Sequence, residues 1–170
     1  KRITMNYALS TISGIGTGME ISGNRYISAL PKTSSSISKL SIKFPIPNVL
    51  ATKYRIYAVF VPTYAMDKTD KRPYKLNFYI SYTDKNGVVV NDSKLTVAKN
   101  TTDTTSVTKL LVADNFEFQY SNLVTENGML VGNNITTYLK IENGAGTSAA
   151  EQKNFNQTIK VDCVILEPVQ

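Results

Sequence analysis

Tyr54-Arg-Ile-Tyr-Ala-Val-Phe-Val61 is the stretch of sequence that decides the fold. Aromatic and β-branched residues fit the pleated surface of a sheet, and here they follow one another almost without interruption. Such a run is typical of a strand that is buried on both faces or nearly so. Pro62 ends the strand, because proline has no backbone N–H to donate. The stretch therefore predicts a central strand of a β-sheet.

Outward from this stretch the dominant hydrophobic period is two, which is the side-chain period of a strand. In the segment Tyr74–Tyr82, Leu76, Phe78 and Ile80 face one way and the residues between them face the other. Asn86-Gly87 then favours a hairpin turn, because both residues readily take positive φ values. Further strands are expected at Tyr26–Leu30, Ile37–Phe44, Val88–Val97, Val107–Val112, Phe116–Tyr120, Thr136–Ile141 and Phe155–Leu166.

About ten short strands separated by turn signals indicate a sandwich or a barrel, since no long segment has helical spacing. No repeat or linker divides the chain, so we expect one domain over residues 1–170, with the strands of residues 1–30 the least regular. The small residues of Asn143–Ala150 predict a flexible loop. Because the chain begins at Lys1, we expect it to be a processed or trimmed piece of something longer.

The composition excludes several kinds of chemistry. There is no histidine, which rules out a Ser-His-Asp triad and removes the commonest zinc ligand. Cys163 is the only cysteine, so no intrachain disulfide forms, and its place in the alternation of Ile159–Ile165 predicts a small buried side chain. No apolar run approaches the ~18 residues of a membrane span, so we expect no membrane insertion.

We expect no cofactor or bound metal. The string Gly14-Ile-Gly-Thr-Gly18 lacks the following helix of a phosphate loop and is interpreted as a turn. Asp84, Asp92 and Asp103 are expected in loops, where aspartate usually caps its own backbone rather than binding calcium. A glycan-degrading enzyme with paired carboxylates stays open as an alternative, although no spacing requires it.

The candidate contact residues come from the tyrosines and the basic residues. The net charge of +6 raises affinity for anions, but the densest basic segment, Lys68–Lys75, is interrupted by aspartates and is interpreted first as a solvated loop. Tyrosine rings are able to stack on sugars, although tyrosine is also an ordinary half-buried strand residue. The candidate ligand-binding or partner-binding residues are Tyr64, Lys71, Arg72, Tyr74, Lys75, Tyr79 and Tyr82.

The order of these features resembles the jelly-roll modules of tailed-phage virion proteins, which occur in tail fibres, spikes, head fibres and capsid decorations. The resemblance covers roughly Ile37–Glu167. It rests on a strand that ends in Phe44-Pro-Ile-Pro47, the two aromatic strands, the Thr-rich segment Thr101–Val107, Leu139-Lys-Ile141, a small-residue loop and a final strand. The sequence departs from such modules by lacking tryptophan near Tyr57 and an arginine near Glu142 and Asn143.

The resemblance implies a two-sheet antiparallel β-sandwich of jelly-roll type that is not an enzyme. It also implies a homo-trimer in the virion that contacts other virion proteins, with a host-surface glycan as a further partner and with no nucleic-acid partner. Three copies of a modest domain gain avidity when they bind together. Two alternatives stay open beside the enzyme: a carbohydrate-binding module of a bacterial surface protein, and a capsid-forming jelly roll whose positive charge faces packaged genome.

Overall fold

The computed structural model describes residues 6–11, 21, 25–31, 40–46, 49–65, 67–119, 125–126, 129–130 and 136–170. For residues 6–11, 125–126 and 129–130 it describes the backbone alone. The strands are β1 (Asn6–Thr11), β2 (Arg25–Leu30), β3 (Ser41–Pro45), β4 (Lys53–Phe60), β5 (Leu76–Thr83), β6 (Val89–Leu95), β7 (Thr108–Glu117), β8 (Thr125–Glu126), β9 (Met129–Leu130), β10 (Tyr138–Asn143) and β11 (Ile159–Pro168). A 3-10 turn spans Thr63–Ala65 and a short helix, α1, spans Ala149–Asn154.

The strands form two main antiparallel sheets. One has five strands in the order β1-β2-β11-β4-β7, and the other has four in the order β3-β10-β5-β6. One apolar cluster contains inward residues of both sheets, and the rings of Phe60 in β4 and Phe78 in β5 meet edge to face at 6.3 Å within it. The prediction of an all-β, two-sheet antiparallel β-sandwich is confirmed.

Eight of the strands pair from the ends of the chain inward. β2 pairs with β11, β3 with β10, β4 with β7, and β5 with β6. The first and third of these pairs lie in the five-stranded sheet, and the second and fourth lie in the four-stranded sheet. Successive pairs therefore alternate between the two layers.

Most strand predictions hold to within a few residues, and the Asn86-Gly87 turn is confirmed by Gly87 with φ +77°. Residues 107–112 and 116–120 were predicted as separate strands, but β7 joins Thr108 to Glu117 through Asn115, whose φ is +56°. β2 pairs with β1 along its whole length. The turn predicted at Gly14–Gly18 lies outside the described residues.

The segment predicted as a loop running into the last strand contains a helix instead. Ser148 caps α1, because its hydroxyl accepts a hydrogen bond from the backbone N–H of Glu151. This Ser-x-x-Glu spacing is the capping-box signature of a helix N-terminus. The final strand consequently begins at Ile159 rather than at Phe155. No helical segment in the described part of the chain has the length and apolar character of a membrane span.

Cys163 is half-buried rather than buried, and the cause is a bulge in β11. The pairing of β11 with β4 shifts between Val161 and Cys163, so Cys163 lies opposite Val59 on the outer side while Val164 packs on the core. A one-residue shift moves all following side chains to the other face of a strand. Burial, and then the neighbouring Asp162 carboxylate, raise the pKa of the Cys163 thiol.

Candidate functional site

A row of side chains crosses the outer face of the four-stranded sheet, on the side away from the core. Lys43 of β3 lies opposite Lys140 of β10, Lys140 lies opposite Tyr79 of β5, and Tyr79 lies opposite Lys94 of β6. Their neighbours along the strands, such as Phe78, point into the core. The alternation of each strand thus places three lysines and one tyrosine on a single exposed face.

Lys140 lies near the centre of this row, and three groups surround its ammonium. Its Nζ is 3.1 Å from Asp92 Oδ2, 3.5 Å from Glu142 Oε2 and 4.3 Å from the centre of the Tyr79 ring. Only 15% of its side chain is exposed. Burial alone would lower the pKa of Lys140, but the hydrogen bond and charge of Asp92, helped by Glu142, raise it overall. Lys140 therefore stays charged.

Asp92 reaches Lys140 because of an irregularity in β6. The pairing of β5 with β6 shifts between Ile80 and Tyr82, and Asp92 takes φ +46°, a left-handed conformation that is uncommon outside glycine. Its backbone N–H donates to Ser81 Oγ at 3.0 Å. The bulge turns the Asp92 carboxylate toward the neighbouring strands, as bulges often do with a functional side chain.

The Asp92 carboxylate on β6 joins two lysines on the neighbouring strands β3 and β10, and β3 lies three strands away from β6 in the sheet order. Its Oδ1 is 3.3 Å from Lys43 Nζ, in addition to the contact with Lys140. Burial would raise the pKa of Asp92, but hydrogen bonds from Lys140 and Lys43 lower it overall. Tyr79 completes the arrangement by donating its hydroxyl to Glu142 Oε1 at 3.0 Å. We call the set Lys43, Tyr79, Asp92, Lys140 and Glu142 the Lys140 network.

Two substitutions of Asp92 distinguish the contribution of its charge to stability from that of its left-handed backbone conformation. Asp92→Asn keeps a residue that tolerates positive φ, so we expect the free energy of unfolding to fall by about 1 kcal/mol, since these ion pairs are partly exposed. Asp92→Ala should cost about 1–2 kcal/mol more, because alanine adopts this conformation poorly. Urea denaturation of both variants checks this. Equal losses in the two variants would show that the bulge stores no strain.

Only Tyr79 of the seven predicted contact residues lies in the Lys140 network. Tyr82 lies on the other side of β5 from Tyr79. It packs on the core and meets the ring of Phe116 edge to face at 5.3 Å. Tyr74 is 0% exposed, so its ring belongs to the core and is not part of a contact surface. Burial raises the pKa of Tyr74 far above its usual range, so this hydroxyl stays protonated.

The other four predicted residues lie around the loop between β4 and β5, and three of them are already engaged. Tyr64 has the Lys68 ammonium 4.5 Å from its ring centre. Lys75 pairs with Glu151 of α1 at 3.0 Å. Arg72 pairs with Asp70 and donates to the Gln152 carbonyl. Lys71 is exposed.

Asp70 organises this loop. Its Oδ2 accepts hydrogen bonds from Arg72 Nη2 at 2.8 Å and Asn156 Nδ2 at 2.7 Å, and its Oδ1 accepts two more from Arg72. The hydrogen bonds from Arg72 lower the pKa of Asp70 to about 2. The interpretation of Lys68–Lys75 as a loop agrees with this arrangement, in which the aspartate and arginine charges cancel locally.

The aspartates that were considered as calcium ligands have different surroundings. Asp84 accepts hydrogen bonds from the backbone of Asn86 and Val88, and Asp103 does so from Thr105 and Ser106. Both therefore cap their own turns, as predicted. Asp92 lies in strand β6 rather than in a loop. Within the described residues no group of three or more cysteine or acidic side chains is arranged to hold a metal ion.

Sequence reasoning missed four members of the Lys140 network. The outward phases of Lys43 and Lys140 were visible from the alternation, but which strands neighbour each other was not. Asp92 was assigned to a loop, so its approach to both lysines had no visible signal. Glu142 was noted only as a departure from the phage modules.

The fold and the site together define the chain as an antiparallel β-sandwich with a charged, tyrosine-containing outer face. No family model matches the chain, and no curated protein or solved structure matches it.

Proposed function

We propose that the chain is a non-enzymatic structural module of a tailed-phage virion, a head-fibre, decoration or tail-fibre domain that works as a homo-trimer through protein contacts. The observation that carries the proposal is the order in which the strands pair. Folding a long hairpin so that its successive strand pairs alternate between two layers generates a jelly roll. The pairing of β2 with β11, β3 with β10, β4 with β7 and β5 with β6 has this form. It supports the jelly-roll topology that the resemblance implies.

The outer face of the four-stranded sheet supports contact with a protein rather than chemistry. The carboxylates of Asp92 and Glu142 both hold the Lys140 ammonium, and the pKa of Asp92 is lowered. A glycosidase needs one carboxyl group with a raised pKa to donate a proton, a role that the lowered pKa of Asp92 does not fit. Fixed, mutually paired charges instead favour specificity and register between protein surfaces.

The Lys140 network leaves limited room for a sugar on Tyr79, so a host glycan is a secondary partner in this proposal. Lys140 lies 4.3 Å from the centre of the Tyr79 ring and so covers one of its two faces. A sugar would therefore stack only on the other face. Tyr79→Ala should leave any glycan affinity much reduced, whereas a purely protein-contacting face would show no glycan binding to lose.

Mass measurement of the purified chain by sedimentation or light scattering tests the proposal. A stable trimer is expected. A strict monomer that binds one defined glycan on an array would replace the proposal with a carbohydrate-binding module. Closed shells in electron micrographs would replace it with a capsid-forming protein. Tyr79→Phe is the matched control for the glycan arm, because it keeps the ring and removes only the hydroxyl that bonds Glu142.

A further inference from the structure

Strand β7 forms an outer edge of the five-stranded sheet. It pairs with β4 along one side, and no other strand in the described part of the chain pairs with its second side. It is ten residues long, from Thr108 to Glu117, so it is a long edge. The N–H and C=O groups of such an edge form a template for pairing with another strand.

A groove of about 340 Å³ runs along this edge. One wall is the edge itself, residues Lys109–Asp114, and the other is the segment Thr96–Lys99 that leaves β6. Leu110 and Val112 lie at the core side of β7, and Val97 packs on the same core. A strand added to the edge would thus find apolar surface for its inward side chains.

The outward side of the edge is apolar as well. Leu111 is 42% exposed and lies opposite Tyr57 of β4, which in turn lies opposite Ile165 of β11. Natural edge strands usually carry a charge where pairing must be prevented. Here the four residues Leu110–Ala113 are uncharged, with Lys109 before them and Asp114 after them.

The charges of β7 match a second β7 that runs antiparallel. The strand begins with a basic residue, Lys109, and ends with acidic residues, Asp114 and Glu117. The pairing of β7 with β4 shifts between Leu111 and Ala113, so β7 carries one extra residue there, and Lys109 and Asp114 lie two pairing positions on either side of Leu111. In a two-fold antiparallel pair centred on Leu111, Lys109 of one copy therefore lies beside Asp114 of the other, twice per interface. A parallel arrangement would instead place like charges together.

We propose that β7 pairs antiparallel with β7 of a second copy of this chain, so that the two five-stranded sheets continue into one another. Lys109 now pairs with Glu167 at 2.8 Å and Asp114 with Arg55 at 3.2 Å. All four side chains are roughly half exposed, so they are free to reach across the interface or to remain as a charged rim.

Leu111→Lys tests the contact, because it places a charge from each copy at the two-fold axis. We expect association to weaken roughly 100-fold or more, as for a central interface residue. Leu30→Lys is the matched control: Leu30 is a leucine of the same sheet with 43% exposure, in β2, which β11 and β4 separate from β7. Sedimentation over a range of protein concentrations gives the dissociation constants, and thermal melts show that both variants fold. Equal association of Leu111→Lys and wild type would overturn the proposal.

A charge exchange tests the register. Lys109→Glu and Asp114→Lys should each weaken association roughly tenfold, because each places like charges side by side at two positions per interface. The double variant should recover most of the loss, although it breaks both pairs within the subunit. If the double variant associates no better than either single variant, the antiparallel register is wrong.

The β7 contact is a second interface in addition to that of the proposed trimer, and the mass of the oligomer distinguishes the two interfaces. A two-fold contact joins copies in pairs, so trimers that use it form hexamers and monomers that use it form dimers. A hexamer that Leu111→Lys reduces to a trimer supports both proposals. A dimer that becomes a monomer supports the β7 contact and contradicts the trimer. A wild-type chain that remains a trimer or a monomer at all concentrations overturns the β7 contact.

Discussion

Replacing Phe78 with alanine is expected to lower the free energy of unfolding by about 3–5 kcal/mol, the usual cost of emptying a buried phenylalanine site. Phe78 is fully buried at the centre of β5, and its ring meets Phe60 of the other sheet edge to face at 6.3 Å. The variant loses the apolar area of the ring and leaves a cavity between two sheets whose strand pairing resists collapse. Since the free energy of unfolding of a small domain is only about 5–15 kcal/mol, this substitution would remove a large part of it.

Urea denaturation followed by circular dichroism measures this loss, and the exposed Leu50 supplies the control. Leu50 is 52% exposed in the segment before β4, so Leu50→Ala should change the free energy of unfolding by less than about 1 kcal/mol. A loss below about 1 kcal/mol for Phe78→Ala as well would mean that the two sheets do not depend on this contact.

The inner face of the sandwich was predictable because burial follows local alternation. Leu76, Phe78 and Ile80 were assigned to one face from sequence, and all three are buried. Lys140 likewise has the opposite burial phase to Leu139 beside it, as the period of two in its predicted strand requires. A side-chain period of two is a property of each strand alone, so it can be read without knowing the strand's neighbours.

Bulges and strand neighbours could not be predicted, because they depend on residues far apart in sequence. The shift between Val161 and Cys163 places Cys163 on the outer side, although its sequence pattern continues that of Ile159. The bulge at Asp92 likewise breaks the pattern of β6. Each follows from how a strand must bend to stay paired with its partner, which no local window contains.

The candidate site was therefore only partly accessible from the sequence. Tyr79 was chosen correctly as an outward residue, but Tyr74 was chosen by proximity in sequence and is buried. The partners of Tyr79 come from β6, which ends at Leu95, and from β10, which begins only at Tyr138. A charge network across several strands becomes visible only once the sheet order is known.

Asp70→Asn is expected to lower the free energy of unfolding by about 1–2 kcal/mol near neutral pH, and this loss should disappear in acid. The Asp70 side chain is only 10% exposed, and hydrogen bonds from Arg72 lower its pKa to about 2, against 3.8 without such partners. A carboxyl group with a lowered pKa in the folded state stabilises the fold above its unfolded pKa. That contribution is lost as the pH falls from about 4 through about 2. The partly exposed guanidinium of Arg72 reduces the gain below the full value of the shift.

Unfolding curves of wild type and Asp70→Asn at several pH values between neutral and strongly acidic conditions measure this effect. The curves should differ at neutral pH and converge below the pKa of Asp70, because the protonated wild type then resembles the variant. Asp67→Asn is the control: it removes one negative charge from the same loop, but Asp67 is exposed and its carboxylate accepts from the backbone and hydroxyl of the nearby Thr69, with no arginine among its hydrogen-bond partners in the described residues, so its effect should be smaller. A difference between Asp70→Asn and wild type that persists unchanged in acid would mean that Asp70 acts through its shape and not through its charge.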